Sequence, residues 1–153
     1  MSNLFGLAAI YPNENSLYVI RINGKQLREY LEHTSNYYLV NPEAGTPLVN
    51  RSWPGYNFDT VNGVEYELDL RKEPGSRLVY LRRNGRAVRN TDTFTMAVNS
   101  YRAEGGGGFT MLAGSPVTWR SDVSVKLMLE NELSRVDTLR IEDIHTVNWK
   151  LRF

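Results

Sequence analysis

"GVEYELDL", residues 63–70, sets Val64, Tyr66, Leu68 and Leu70 against Glu65, Glu67 and Asp69 in strict alternation. A period of two sends successive side chains to opposite faces, so this stretch is a strand with one buried and one wetted face. Asn62-Gly63 just before it is a tight-turn signal that joins it to "YNFDTV" (56–61). Downstream, "RLVYLRR" (77–83) reads as a second strand, Asn84-Gly85 as a turn, and Thr93 to Val98 as a further strand. Upstream, "SLYVIRI" (16–22) is rich in β-branched and aromatic residues and is also a strand. In the next segment Leu27, Tyr30 and Leu31 fall at i, i+3 and i+4, the spacing of an amphipathic helix that begins near Gly24.

The remaining segments fill in the same plan. "NPEAGTPLVNRSWPGYN" (41–57) is dense in Pro, Gly and Asn and reads as a loop. "SDVSVKLMLENELS" (121–134) offers Ser121 as an N-cap and Val125, Met128 and Leu129 as one apolar stripe, which predicts a helix. The tail alternates Val147, Trp149, Leu151 and Phe153 and reads as a closing strand. Hairpin-linked strands with interspersed helices predict an α+β fold, a mixed or largely antiparallel sheet with packed helices, over residues 1–153 as a single domain. The chain opens straight onto strand-like sequence, as a domain of a longer protein would.

Bulk properties narrow the function. The 153 residues are 41% apolar, enough for one core. Lys plus Arg number 18 against 17 for Asp plus Glu, so no global field draws nucleic acid or an anionic membrane. Arg71, Lys72, Arg77, Arg82, Arg83, Arg86 and Arg89 crowd one stretch, with Glu65, Glu67, Asp69 and Glu73 close by, and read as a solvated hairpin face. Cysteine is absent, which removes disulfides and thiolate chemistry and suits an oxidising compartment. No apolar run is long enough to span a bilayer, and the first fifteen residues lack the basic start of a signal peptide.

A catalytic set is hard to assemble. His33 and His145 are the two histidines, on different elements and without metal-ligand spacing to each other. Both read as exposed or capping residues, and no nucleophile-elbow motif is present.

The unusual segment is "NSYRAEGGGGF" (99–109), with glycine at 105–108. Phe109, Thr110, Met111 and Leu112 follow and then "AGSP", so the run does not open a helix as a phosphate-cradling loop does. Core residues on both sides exclude a linker. Two readings stay open. Glycine permits close backbone approach to a ligand beside an aromatic that stacks, the role Tyr101 would take. The other is a bulge or mobile loop with Tyr101 in the core.

"AVNSYRAEGGGGF" resembles the nucleotide-binding loop of the 5'-nucleotidase C-terminal domain, and more closely that of the 2',3'-cyclic-nucleotide 2'-phosphodiesterase/3'-nucleotidase branch. "IYPNENSLYVIRINGKQLREYLE", "YNFDTVNGVEYELDL" and "NWKL" agree in order, so the resemblance covers nearly the whole chain. It implies the substrate-binding half of a two-domain hydrolase, with a nucleoside or nucleotide as ligand. An upstream metallophosphatase domain would hold two divalent metals, and this chain alone would bind no metal or other cofactor and be inactive. It further implies an extracytoplasmic location and a base sandwiched between two aromatics, Tyr101 and the residue at the position of Asn13. Asn13 departs from the family's aromatic there, and Tyr11 is the nearest substitute. Asn15 would make a polar contact, the Gly105, Gly106, Gly107 and Gly108 backbone would leave room beside the base, and Phe109 would anchor the loop. Gly107 stands where strict 5'-nucleotidases carry a ribose-holding Asp, which points to the cyclic-phosphodiesterase branch. The rival readings are a free-standing nucleoside-binding module and a self-sufficient hydrolase using His33 or His145.

Overall fold

The computed structural model describes residues 11–42, 45–136, 138, 140, 142 and 146–153. His145 lies outside the described residues.

The first strand, β1 (Ser16–Asn23), runs directly into helix α1 (Gly24–Thr34). The junction is a capping box. Asn23 Oδ1 accepts from the Gln26 amide at 2.9 Å, and Gln26 Oε1 accepts from the Asn23 amide at 2.9 Å. Gly24 is required here because a Cβ would collide with the Arg89 carbonyl; the helix start rests on the 89–92 turn, with Gly24 N donating to Asp92 O at 2.8 Å. α1 turns Leu27, Tyr30 and Leu31 inward, as their spacing predicts.

Strands β2 (Glu65–Asp69), β3 (Leu78–Arg83), β4 (Arg86–Ala87) and β5 (Thr93–Asn99) follow. β3 and β4 form a hairpin through Asn84 and Gly85, whose φ of +50° and +74° give the primed turn that this dipeptide favours. After β5 come a single helical turn, α2 (Ser100–Ala103), the edge strand β6 (Val117–Ser124), helix α3 (Val125–Leu133) and strand β7 (Trp149–Arg152). Two sheets result. One is antiparallel in the order β5-β1-β6; the other runs β4-β3-β2-β7, with β7 parallel to β2. This is the α+β, mostly antiparallel architecture expected. Its core joins Ile20 and Ile22 of β1, Leu27 and Leu31 of α1, and Tyr66 and Leu68 of β2.

Four expectations are corrected. The acidic face of β2 is wet only at Glu65, which is exposed; β2 lies between β3 and β7, long side chains cover the rest of the face, and Glu67 and Asp69 are buried. Lys150 Nζ reaches Glu67 at 3.1 Å, and Arg71 binds Asp69 through Nε at 2.8 Å and Nη2 at 2.7 Å. Arg77 is not on a solvated face. It is fully buried, with Nη1 donating to the Ser35 and Tyr38 carbonyls and Nε to Lys72 O at 2.8 Å. Ser121 does not cap α3; it sits in β6, where its hydroxyl accepts from Leu17 N at 2.9 Å, and Ser124 is the cap. Asn62-Gly63 is a bend, with Gly63 at φ +84°, and not a tight turn between paired strands: "YNFDTV" (56–61) starts in the 3-10 turn Gly55–Asn57 and continues as irregular chain.

Two predictions follow from these buried polar groups. Arg77→Ala empties a fully buried site and takes the Arg77 donors from the Tyr38 and Lys72 carbonyls, which should cost about 3 kcal/mol or more in urea unfolding, with the midpoint shifted accordingly. Stability should also fall at both pH extremes. Arg71 holds the Asp69 carboxyl below the usual carboxylate range. Burial alone would raise Glu67, but Lys150 and Arg152 overcome it and leave that carboxyl low. A depressed carboxylate contributes stability above its unfolded pKa of about 4 and loses that contribution as the pH falls through its folded value. Burial pushes Tyr66 the other way, up to about 12. Its contribution is complete below the unfolded phenol value of about 10 and is lost as the pH rises from there toward 12. A thermal melt series from pH 2 to 12 should therefore show a plateau with a fall on each side.

Candidate functional site

The site begins with an asparagine that ends a strand. Asn99 closes β5, and its side chain caps α2 by accepting from Arg102 N at 2.8 Å. One turn of helix then sends Tyr101 outward, 44% exposed, and Arg102 inward, 4% exposed. Gly105, at φ +90°, ends the turn in the left-handed conformation, with its amide donating to Arg102 O at 3.0 Å.

The glycine loop folds back onto the residues just before it. A Cβ at Gly106 would run into the Tyr101 ring, so the backbone lies flat against that face of the aromatic. At Gly107, φ +71°, a Cβ would strike Asn57 Oδ1 and Arg102 Nη1; at Gly108 it would press the His33 imidazole at 2.9 Å. Phe109 is fully buried, 4.6 Å from the Tyr30 ring and 4.5 Å from His33, with the Arg102 guanidinium 4.1 Å above it. The loop is therefore packed on both sides, and Tyr101 is not a core residue.

Arg102 joins this loop to the 3-10 turn and to Asp59 just beyond it. Nη1 donates to Gly106 O at 2.8 Å and Asn57 Oδ1 at 3.2 Å, and Nη2 to Tyr56 O at 2.8 Å. Nε lies 2.7 Å from Asp59 Oδ2, which also accepts from the Tyr30 hydroxyl at 2.6 Å. Burial first, and then the Asp59 charge, push the Tyr30 phenol far above its ordinary value, so it stays a neutral donor.

These contacts leave an open cleft of about 680 Å³. Of the residues expected from sequence, Tyr11, Asn13, Asn15 and Tyr101 meet at its wall. Asn15 Nδ2 donates to the Tyr11 hydroxyl at 3.4 Å. Gly105 to Gly108 and Phe109 do not line the cleft; they stand behind it and fix Tyr101 and Arg102. Tyr56, Asp59, Asn99 and Arg102 line it as well, and sequence reasoning did not select them. Asn99, Arg102, Tyr56 and Asp59 sit inside quoted motifs, and only their convergence distinguishes them from neighbours. Tyr56 matters most, because it is aromatic and 70% exposed.

His33 corrects a further expectation. It is half-buried and is not a cap: its Nε2 donates to Gly107 O at 3.0 Å, and its ring meets Trp53 and Phe109 edge-on. It pegs the glycine loop in place. Among the described residues no three or more His, Asp and Glu side chains converge on a point, so these residues do not offer a donor set for a metal.

The 5'-nucleotidase, C-terminal domain model matches residues 4–114, most of the chain. The chain belongs to that family. Among relatives, a 2',3'-cyclic-nucleotide 2'-phosphodiesterase/3'-nucleotidase of Salmonella typhimurium is 28% identical over 94% of this chain and 25% of its own length. A protein of the same name from Haemophilus influenzae is 35% identical over 64% of this chain and 17% of its own length. A solved structure described as a 5'-nucleotidase from Staphylococcus aureus, in complex with alpha-ketoglutarate, superposes with a TM-score of 0.82 at 28% identity. The match covers 96% of this chain and 29% of that one. The chain thus spans less than a third of the length of each of these relatives.

Gly106→Ala tests the geometry. The added methyl must displace the Tyr101 ring, so intrinsic tyrosine fluorescence quenching by acrylamide should rise while the far-ultraviolet circular dichroism stays unchanged. A variant with the wild-type quenching constant would show that the ring is not held by the loop.

Proposed function

We propose that this 5'-nucleotidase C-terminal domain binds the nucleoside part of a nucleotide substrate in the Tyr101 cleft. The observation that carries the proposal is an aromatic ring held at the cleft wall by its own glycine loop, with Tyr56 exposed in the same cleft. A preordered aromatic binds a base without ordering cost at the moment of binding, and base stacking contributes ~1–3 kcal/mol per base. Tyr56 takes the role of the second aromatic that Asn13 cannot fill, and Asn13, Asn15 and Tyr11 supply polar contacts around the base edge. The Arg102–Asp59 pair, half in the cleft wall, keeps the two tyrosine-bearing segments at a fixed separation.

The names of the relatives and the character of Gly107 favour a 3'- or 2',3'-cyclic nucleotide. An Asp at position 107 would project into Asn57 and Arg102. A ribose clamp from that position is thus incompatible with the network that forms the cleft. We assign the phosphoryl chemistry of the parent hydrolase, and its two divalent metals, to a metallophosphatase domain upstream, with this chain contributing binding and orientation. The extracytoplasmic setting follows as part of the same reading and agrees with the absence of cysteine. Among the described residues no helix is long and apolar enough to cross a membrane.

The test is calorimetric titration of the chain with adenosine, 3'-AMP and 2',3'-cyclic AMP. Tyr101→Ala should weaken all three by ~1–3 kcal/mol, about 5- to 150-fold, and Tyr56→Ala should weaken them in the same direction. Equal affinity in wild type and Tyr101→Ala removes the tyrosine from the role.

A further inference from the structure

A second groove lies apart from the tyrosine cleft. It lies where the β3–β4 hairpin meets the turn into β5, encloses about 1020 Å³, and shares no residue with the cleft. Arg83, Arg86 and Arg89 line it, together with Asn84, Thr91 and Thr93.

Its charges are arranged in an unusual way. Arg83 and Arg86 are Cα partners across the two-residue turn, so their side chains leave the same face of the hairpin directly opposite one another. Like charges in that position repel, and a hairpin with no other function would favour an acidic residue at one of them. Among the described residues no carboxylate pairs with either. Arg83 instead rests its guanidinium 5.3 Å over the Phe94 ring, which orients the fork while leaving its donors unused. The one acidic lining residue, Asp92, is already engaged. It accepts from Arg89 Nε at 2.9 Å and from Arg89 N at 2.8 Å, so it fixes the third arginine rather than neutralising the other two.

We propose that this groove binds a phosphate-bearing anion of several linked charges. Two free guanidinium forks offer paired N–H donors that match phosphoryl oxygens. The Thr91 and Thr93 hydroxyls and the Asn84 amide line the same groove and add donors for further oxygens. Phosphoryl groups present more acceptor oxygens per unit length than carboxylates do, and a groove of this size takes a short chain of them. An anion bridging Arg83 and Arg86 also removes the repulsion that the hairpin otherwise carries.

The experiment is isothermal titration of the chain with inorganic tripolyphosphate, for wild type, R83A/R86A, R83K/R86K and Y101A. Wild type should bind saturably, with an affinity that falls as salt rises. R83A/R86A should lose at least tenfold, and R83K/R86K should lie between the two because lysine keeps the charge but not the fork. Y101A should bind like wild type, which separates this groove from the nucleoside cleft. ATP titrated into Y101A distinguishes the source: affinity equal to that of tripolyphosphate shows that the phosphate chain alone is read. The proposal is overturned if wild type shows no saturable binding, if R83A/R86A binds as wild type does, or if Y101A abolishes binding. Because R83A/R86A relieves repulsion on an exposed hairpin, it should melt no lower than wild type, and a folded variant that fails to bind supports the site.

Discussion

The buried guanidinium of Arg102 is the constraint on which the rest of this site depends. It spends its donors on the Gly106 carbonyl, the Tyr56 carbonyl, the Asn57 side chain and the Asp59 carboxylate, and stacks over Phe109. The partners lie on two stretches of chain, 56–59 and 106–109, so one side chain ties the 3-10 turn to the glycine loop. A charged group buried this way is tolerated only when its protons are shared out among acceptors, and removing any one acceptor leaves an expensive orphan. The glycines are a consequence. With Arg102 and Asn57 where they are, position 107 has no room for a Cβ, and with the Tyr101 ring where it is, neither has position 106.

This arrangement separates the residues that line the cleft from those that hold them still. Tyr101 and Tyr56 face the cleft, while Gly106, Gly107, Phe109, Tyr30 and His33 stand behind it. The glycine run is therefore a backing for the tyrosine rather than a floor of the cleft. A packed backing leaves the aromatic little rotamer freedom to lose on binding, the general advantage of a preorganised site. The arginine hairpin on the other side of β5 is built on the opposite principle: its forks are exposed and unspent, and its one carboxylate is used to position rather than to neutralise.

Much of this is legible in the amino-acid sequence. The alternation of residues 64–70, the i, i+3, i+4 spacing of Leu27, Tyr30 and Leu31, and the Asn84-Gly85 turn report local periodicity and local φ preferences, which are written directly into neighbouring residues. The readings that changed all turned on what lies across space. Glu67 and Asp69 look solvent-facing until β7 arrives from residues 149–152 with Lys150 and Arg152. Arg77 looks like one more surface arginine until the carbonyls of Ser35, Tyr38 and Lys72 close around it. β6 goes unseen because its pattern is mostly polar, and only the unpaired side of β1 calls for a strand there.

The candidate site divides in the same way. Residue type and short spacing were enough for β1, β2, β3, β5, α1 and β7 and for the family resemblance, which singled out Tyr101 beside a side-chain-free loop. It took the packing of distant segments to show that Tyr56 shares the cleft with Tyr101, that His33 is a peg for Gly107 rather than an exposed residue, and that Gly105 to Phe109 support the cleft without lining it. Those facts depend on segments more than forty residues apart being brought together by Arg102. Packing across such distances follows from shape and buried hydrogen bonds, which no local pattern encodes.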